Sequence, residues 1–207
     1  MLPRVDDAGE SSSPPVHIRR EHGNIRTMPR NRLPPWHEQF VLPNRRTLLI
    51  RPIRPEDAPP LQAIFPLLGP EEVRAGFATG DLAAAAAARL VRPDPRQELV
   101  LVGASPLPAG EAVIAGLARV RIVPGTRQAE LAIVLARHVM GLGLGRHLLQ
   151  KLVKWARTHR LERVYGDIPA GNQPMLDLAA SMGFSPEPGA EGVPAGLVRQ
   201  VLELSGH

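Results

Sequence analysis

Three glycines fall within five residues, at Gly141, Gly143 and Gly145. They join a strand-like run, Gln128 to Leu135, to a stretch in which Leu144, Leu148, Leu152 and Ala156 recur at every fourth position. That spacing, with Leu149 and Val153 beside it, predicts an amphipathic helix beginning at the last glycine. Glycines let backbone amides converge on one concavity, and the helix start adds partial positive charge, so the junction predicts an anion or phosphate site. A turn serving chain geometry alone would need fewer glycines. Two common nucleotide fingerprints fail on specific residues: a Walker loop would continue as Lys-Ser/Thr where Arg146 and His147 stand, and a dinucleotide loop would need Gly at position 146.

The surrounding order of elements limits the fold. Leu48 to Ile53 reads as a first strand, followed by the helix start Pro55-Glu56-Asp57 and a helix through Leu61, Ile64 and Leu68. A short helix is expected from Pro70 through Phe77, then a helix capped by Asp81 over the six alanines 83–88. Glu98 to Gly103, Ala112 to Ile122 and Gln128 to Leu135 form an expected antiparallel meander with Pro/Gly turns between them. After the glycine junction and its helix come a strand at Arg163 to Ile168, a helix at Pro174 to Met182 and a strand at Val198 to Leu204. The expected class is α+β, a mixed and mostly antiparallel central sheet with flanking helices. Residues 1–40 combine Ser, Pro and both charge signs with few apolar residues, which predicts a disordered or loosely docked extension ahead of one domain over 41–207. Trp36, Phe40, Val41 and Leu42 are the candidate docking residues.

Composition removes several function classes. The chain has no Cys, which excludes a Cys nucleophile and any Cys-ligated zinc or iron–sulfur site. His-Glu-x-x-His and Gly-x-Ser-x-Gly patterns are both missing, so no metal is expected. At 3% aromatic residues the chain is poorly suited to stacking bases, which argues against nucleic acid as a partner. No run approaches the ~18 apolar residues of a membrane span, and the N-terminus lacks a basic-then-apolar leader, so no membrane and a cytoplasmic location are expected.

Met140-Gly-Leu-Gly-Leu-Gly145 followed by Arg146-His-Leu-Leu149 resembles the acyl-CoA pyrophosphate loop of the GNAT family of N-acetyltransferases. Asn172-Gln-Pro-Met-Leu-Asp-Leu-Ala-Ala-Ser-Met-Gly-Phe184 is similar to that family's following helix and turn. The resemblance runs from about Leu48 to Leu204. Ile50 to Asp57, Leu68 to Phe77, Ala129 to Val134 and Gly166 to Asn172 look most like the acetyltransferase domain of bacterial protein lysine acetyltransferases.

The resemblance implies acetyl-CoA as acyl donor and, as acceptor, a protein lysine or a small amine. It implies Glu130 as general base, on a strand face shared with Ala132 and Val134 where a carboxylate among apolar neighbours should be easier to protonate. The amides of Ile133, Val134 and Leu135 would pair with the pantetheine arm. Those of Leu142, Gly143, Leu144, Gly145 and Arg146, in the loop begun by Met140 and Gly141, would take the pyrophosphate, and Asn172 would hydrogen-bond the pantetheine. There are three departures from the pattern: Met140 and Leu142 replace polar loop residues, Arg137 and His138 replace acidic ones, and Ala179 replaces a thiolate-protonating Tyr. Those departures keep open a third reading, a non-catalytic acyl-CoA-binding regulatory module. A homodimer is compatible with all three. Between positions 137 and 163 seven basic residues face Glu162 alone, a field expected to favour coenzyme A phosphates.

Overall fold

A computed structural model describes residues 36–64 and 83–204, all within the unit spanning 33–207. The expected short helix at 70–77 and the Asp81 cap lie outside the described residues, as does the extension up to residue 35.

One sheet of eight strands organises the described chain: β1 Glu38–Val41, β2 Thr47–Pro52, β3 Glu98–Ala104, β4 Ile114–Ile122, β5 Gln128–Leu135, β6 Arg163–Pro169, β7 Ser185–Pro186 and β8 Leu197–Glu203, in the order β1-β2-β3-β4-β5-β6-β8-β7. All neighbours are antiparallel except β5 and β6. Among the described residues the four α-helices are α1 Ala58–Ile64, α2 Ala83–Leu90, α3 Leu144–Thr158 and α4 Gln173–Ser181. This is the α+β plan expected from the element order, with the meander at β3, β4 and β5. The unforeseen elements are the two-residue β7 and, closer to the core, β1. Its residues 38–40 belong to the segment assigned to the extension, yet they pair with Ile50, Leu49 and Leu48. Leu42 is buried, Trp36 and Phe40 pack against the core, and Val41 is exposed. Among the described residues no helix is long and apolar enough to cross a membrane.

Both faces of the central strands are covered, which is why β3 and β4 read as nearly unbroken apolar runs. On one face α3 inserts Leu144, Leu148, Leu152 and Ala156, each fully buried, and each such leucine contributes about 1.5–3 kcal/mol. Glycines make room for it. A Cβ at Gly116 would stand 3.0 Å from Leu135 Cδ2 and 3.1 Å from Leu144 Cδ2, so this part of β4 has to lack a side chain for α3 to approach. On the other face Leu61 of α1 and Ala86, Ala87 and Leu90 of α2 pack with Val100, Val102, Leu117, Ala132 and Val134.

A buried ion pair fixes the entry to α1. Arg51 at the end of β2 grips Asp57 through two bonds, 2.6 and 2.8 Å long, and the Arg54 amide donates to the same carboxylate at 2.9 Å. Arg51 is 2% exposed and Asp57 is 0% exposed. Burial alone would raise the Asp57 pKa, but the Arg51 guanidinium and the Arg54 and Gly110 amides outweigh it and hold the carboxyl below its ordinary 3.8. Removing one partner strands a buried charge. Asp57→Asn should therefore destabilise the fold by about 3–5 kcal/mol in urea unfolding. The lowered pKa also sets a sign: the pair's full contribution is present above the unfolded value near pH 3.8 and is lost as pH falls through the folded value. Wild-type urea midpoints should consequently drop with acidification below pH 4 more steeply than those of Asp57→Asn.

Candidate active site

β5 and β6 pair only through Gln128↔Arg163, Ala129↔Val164 and Glu130↔Tyr165. Beyond that point each strand follows its outer neighbour, β5 staying with β4 up to Leu135 and β6 with β8 up to Pro169. The two strands part, and a cavity of about 590 Å³ fills the fork. Leu131 to Leu135 form one wall and Gly166 to Pro169 the other, while the glycine loop and the start of α4 close its ends. At the root stands Gly166, where a Cβ would lie 3.1 Å from the Leu131 carbonyl oxygen, so the strands can approach there only without a side chain.

The ladder decides which backbone groups reach the fork. Ala136 donates to the Ala115 carbonyl at 2.8 Å. With the register Leu117↔Val134 and Arg119↔Ala132, alternation commits Val134 and Ala132 to β4 and turns Ile133 and Leu135 towards the fork. The expected run Ile133, Val134 and Leu135 thus divides: all three line the cavity, but Val134 offers no amide to it.

At the end away from the root, Gly141 and Gly143 have positive φ of 74° and 88°, and Gly143 is the N-cap of α3. Gly145 does a different job, since a Cβ there would meet Leu135 Cδ1 at 3.1 Å and Leu178 Cδ2 at 3.3 Å. His147 makes the first helical bond, to the Gly143 carbonyl at 3.1 Å, so the amides of Leu144, Gly145 and Arg146 are those that a helix start leaves pointing outward. Together with the helix dipole they form an anion cradle. Leu142 differs from expectation. Its amide donates to Val139 at 3.3 Å and its side chain packs on the core, so it contributes to the turn rather than to the cradle. Leu144 reaches the site through its backbone alone, its side chain being fully buried. Met140, Gly141, Gly143, Gly145 and Arg146 line the cavity. Arg146 is steadied by donating to Ser181 Oγ at 2.7 Å.

Asn172 combines both roles considered for it. It lines the cavity and caps α4, its Oδ1 accepting from the Met175 amide at 3.2 Å, which leaves its Nδ2 group as the donor for a ligand. Ala179, at the tyrosine position, is buried in the core.

Glu130 departs most from the sequence expectation. In place of an apolar face it meets two guanidinium groups, Arg119 Nη2 and Arg121 Nη2, each 3.0 Å from Oε2. It lies at the root of the fork, outside the cavity lining, with its side chain 24% exposed. Tyr165 sits opposite; burial, and then the Glu130 charge, push its phenol pKa upward. Arg199 covers the Tyr165 ring at 4.4 Å and binds Asp167 through two 2.8 Å bonds, and Asp167 lines the cavity. Neither Asp167 nor Gly166 was singled out from the sequence. An isolated glycine inside a strand pattern was the available signal, because it marks close backbone approach. The basic field is also weaker than the sequence count: Lys151 meets Glu38 at 2.5 Å, and Arg163 pairs with Glu187 and with Glu203. Among the described residues no group of His, Asp and Glu is arranged to hold a metal.

Comparison with known proteins agrees with this arrangement. The model of the acetyltransferase (GNAT) domain matches residues 47–185. An acetyltransferase of Pseudomonas aeruginosa is 30% identical over 152 residues, covering 72% of this chain and 80% of its own. The GNAT domain of S. lividans PAT superposes with a TM-score of 0.65 at 21% identity, covering 83% of this chain and 99% of that one. The Salmonella typhimurium putative acetyltransferase yncA, solved with its cofactor acetyl-CoA, gives 0.56 at 25% identity, covering 77% and 95%. The match spans the fork, the glycine loop and the start of α3, and the chain belongs to the GNAT family of acetyltransferases.

Proposed function

We propose that the protein transfers an acetyl group from acetyl-CoA to the side-chain amine of a protein lysine by direct attack, with Glu130 as general base. The observation that carries this reading is the order of groups along the fork. Outward backbone groups of Ile133 and Leu135 come first, then apolar walls, then the amide cradle of Leu144 to Arg146 at the start of α3. An acyl-CoA has the same order: thioester, amide-bearing arm, pyrophosphate. Ile133 and Leu135 would pair with the arm as an added strand would, the Nδ2 group of Asn172 would donate to it, and Arg146 with the cradle would meet the phosphates.

Acetyl-CoA supplies an activated acyl carbon. A lysine ammonium, with a pKa of ~10.4, must lose a proton before attack, and that proton passes to Glu130 directly or through one water, so the carboxylate contributes rate. The neutral nitrogen then bonds to the acyl carbon, the carbon–sulfur bond breaks, coenzyme A leaves as thiolate, and the second nitrogen proton passes to that thiolate through water. Two observations support a protein acceptor: the resemblance of Ile50 to Asp57 and Gly166 to Asn172 to protein lysine acetyltransferases, and a Glu130 side chain reachable from solvent.

Calorimetric titration with acetyl-CoA, followed by assays on protein and small-amine panels, tests the proposal. Wild type and Glu130→Gln should bind acetyl-CoA alike, while turnover on proteins falls about 10²- to 10⁴-fold in the variant. Turnover confined to small amines would identify a different acceptor. Binding without turnover in either protein would indicate a regulatory module, and no binding would overturn the reading altogether. A second variant probes the cradle. Gly143→Ala places a side chain at φ 88°, at a cost of about 1–2 kcal/mol. It should lower the Tm and weaken acetyl-CoA binding about tenfold, with kcat at saturation largely kept.

A further inference from the structure

We propose that Arg119 is a positioning residue for Glu130, a buried cation whose fork of donors fixes the orientation of the carboxylate. The inference rests on Glu130 acting as the base.

Arg119 lies on β4 opposite Ala132, one diagonal step from Glu130, on the face shared with Val100 and the apolar residues under α1 and α2. It is 2% exposed. A cation placed there has lost nearly all its water, and it is held in place by carboxylates on both flanking strands. Its Nη2 donates to Glu130 Oε2 at 3.0 Å, and its Nε lies 3.2 Å from Glu98 Oε1. Burial pushes its pKa down and the Glu130 and Glu98 charges push it back up, but a guanidinium stays charged throughout.

This arrangement constrains Glu130 more tightly than a surface pair would. Arg121 also reaches Oε2, yet it is 46% exposed, so its field is screened and its side chain costs more entropy to hold. The buried Arg119 is therefore the fixed anchor. With both guanidinium groups on Oε2, the remaining oxygen, Oε1, is the atom that would take the acceptor's proton. The other charged or titratable neighbours are Tyr165, Asp167 and Arg199 on the far side of the fork, and Arg89 from α2, which acts on Arg119 itself.

A positioning role separates from a merely structural one in the split between binding and turnover. In Arg119→Gln kcat should fall about tenfold or more, while the acetyl-CoA Kd stays within twofold. Arg119→Lys keeps the charge but not the fork of donors, so it should return the Tm towards wild type while kcat stays reduced. Glu98→Gln loosens the hold on Arg119 from the other strand and should lower kcat by a smaller factor, again at unchanged Kd. Should Arg119→Gln fail to fold, the Arg119→Lys split and the Glu98→Gln effect still decide the matter. A kcat within twofold of wild type in every folded variant, while Glu130→Gln is inactive, would overturn the role of Arg119 alone. An active Glu130→Gln would instead overturn the reading of Glu130 as base.

Discussion

A strand whose neighbour departs must find other partners for its backbone. β5 loses β6 after Glu130, and from there the polar groups of Ile133 and Leu135 face a cavity instead of a ladder. Buried peptide groups are seldom left unpaired, so this edge calls for water or for a ligand that resembles a strand. The parting is built in from outside. β4 keeps β5 in register up to Leu135, and β8 keeps β6 in register up to Pro169, so neither inner strand can turn towards the other. α3 and α4 meet across the gap around Gly145, whose missing side chain lets Leu135 and Leu178 close on the helix.

The two faces of the sheet divide the work. The α3 face is apolar and fixes position, with Leu144, Leu148 and Leu152 seating the helix whose first amides form the anion cradle. The opposite face carries charge towards one end: Glu98, Arg119, Arg121 and Glu130 on three adjacent strands, continued across the root by Tyr165, Asp167 and Arg199. In the proposed reading, a donor held by the fork would bring its reactive end close to ionic groups while its arm lay against hydrocarbon. Low dielectric along the arm and fixed charge at the tip are the conditions under which a single carboxylate can influence rate.

Much of this was legible in the sequence because local rules coincided. Four-residue spacing from Leu144 to Ala156 gave the helix, alternation gave the meander, and the glycines at 141 and 143 gave the turn, each being a short-range pattern with one physical cause. Long-range pairings left weaker traces. β1 was missed because Glu-Gln-Phe-Val is too short to alternate convincingly, and it is held by pairing with β2 and by contacts of Glu38 and Phe40 with α3. Glu130 was placed on the right strand and face, but its partners come from residues 9 and 11 positions earlier, across a turn whose register the sequence does not print. The division among Ile133, Val134 and Leu135 likewise follows from register alone. Leu142, read as part of the cradle, is taken by the tight turn that Gly141 and Gly143 create.

The shortness of the β5–β6 ladder also bears on how the chain assembles. The strands from β3 to β5 are joined by local connections, residues 105–113 and 123–127, and closing such short loops costs little entropy. Joining the last third of the chain to them is different in kind: a parallel crossover through α3, secured by three residue pairs and a row of leucines. That junction is the non-local one, and the cavity exists only where it is made. The candidate site is thus also the seam between the two halves of the sheet. A donor bridging its walls would act as a splint as well as a reactant, adding stability where the polypeptide's own ladder runs out.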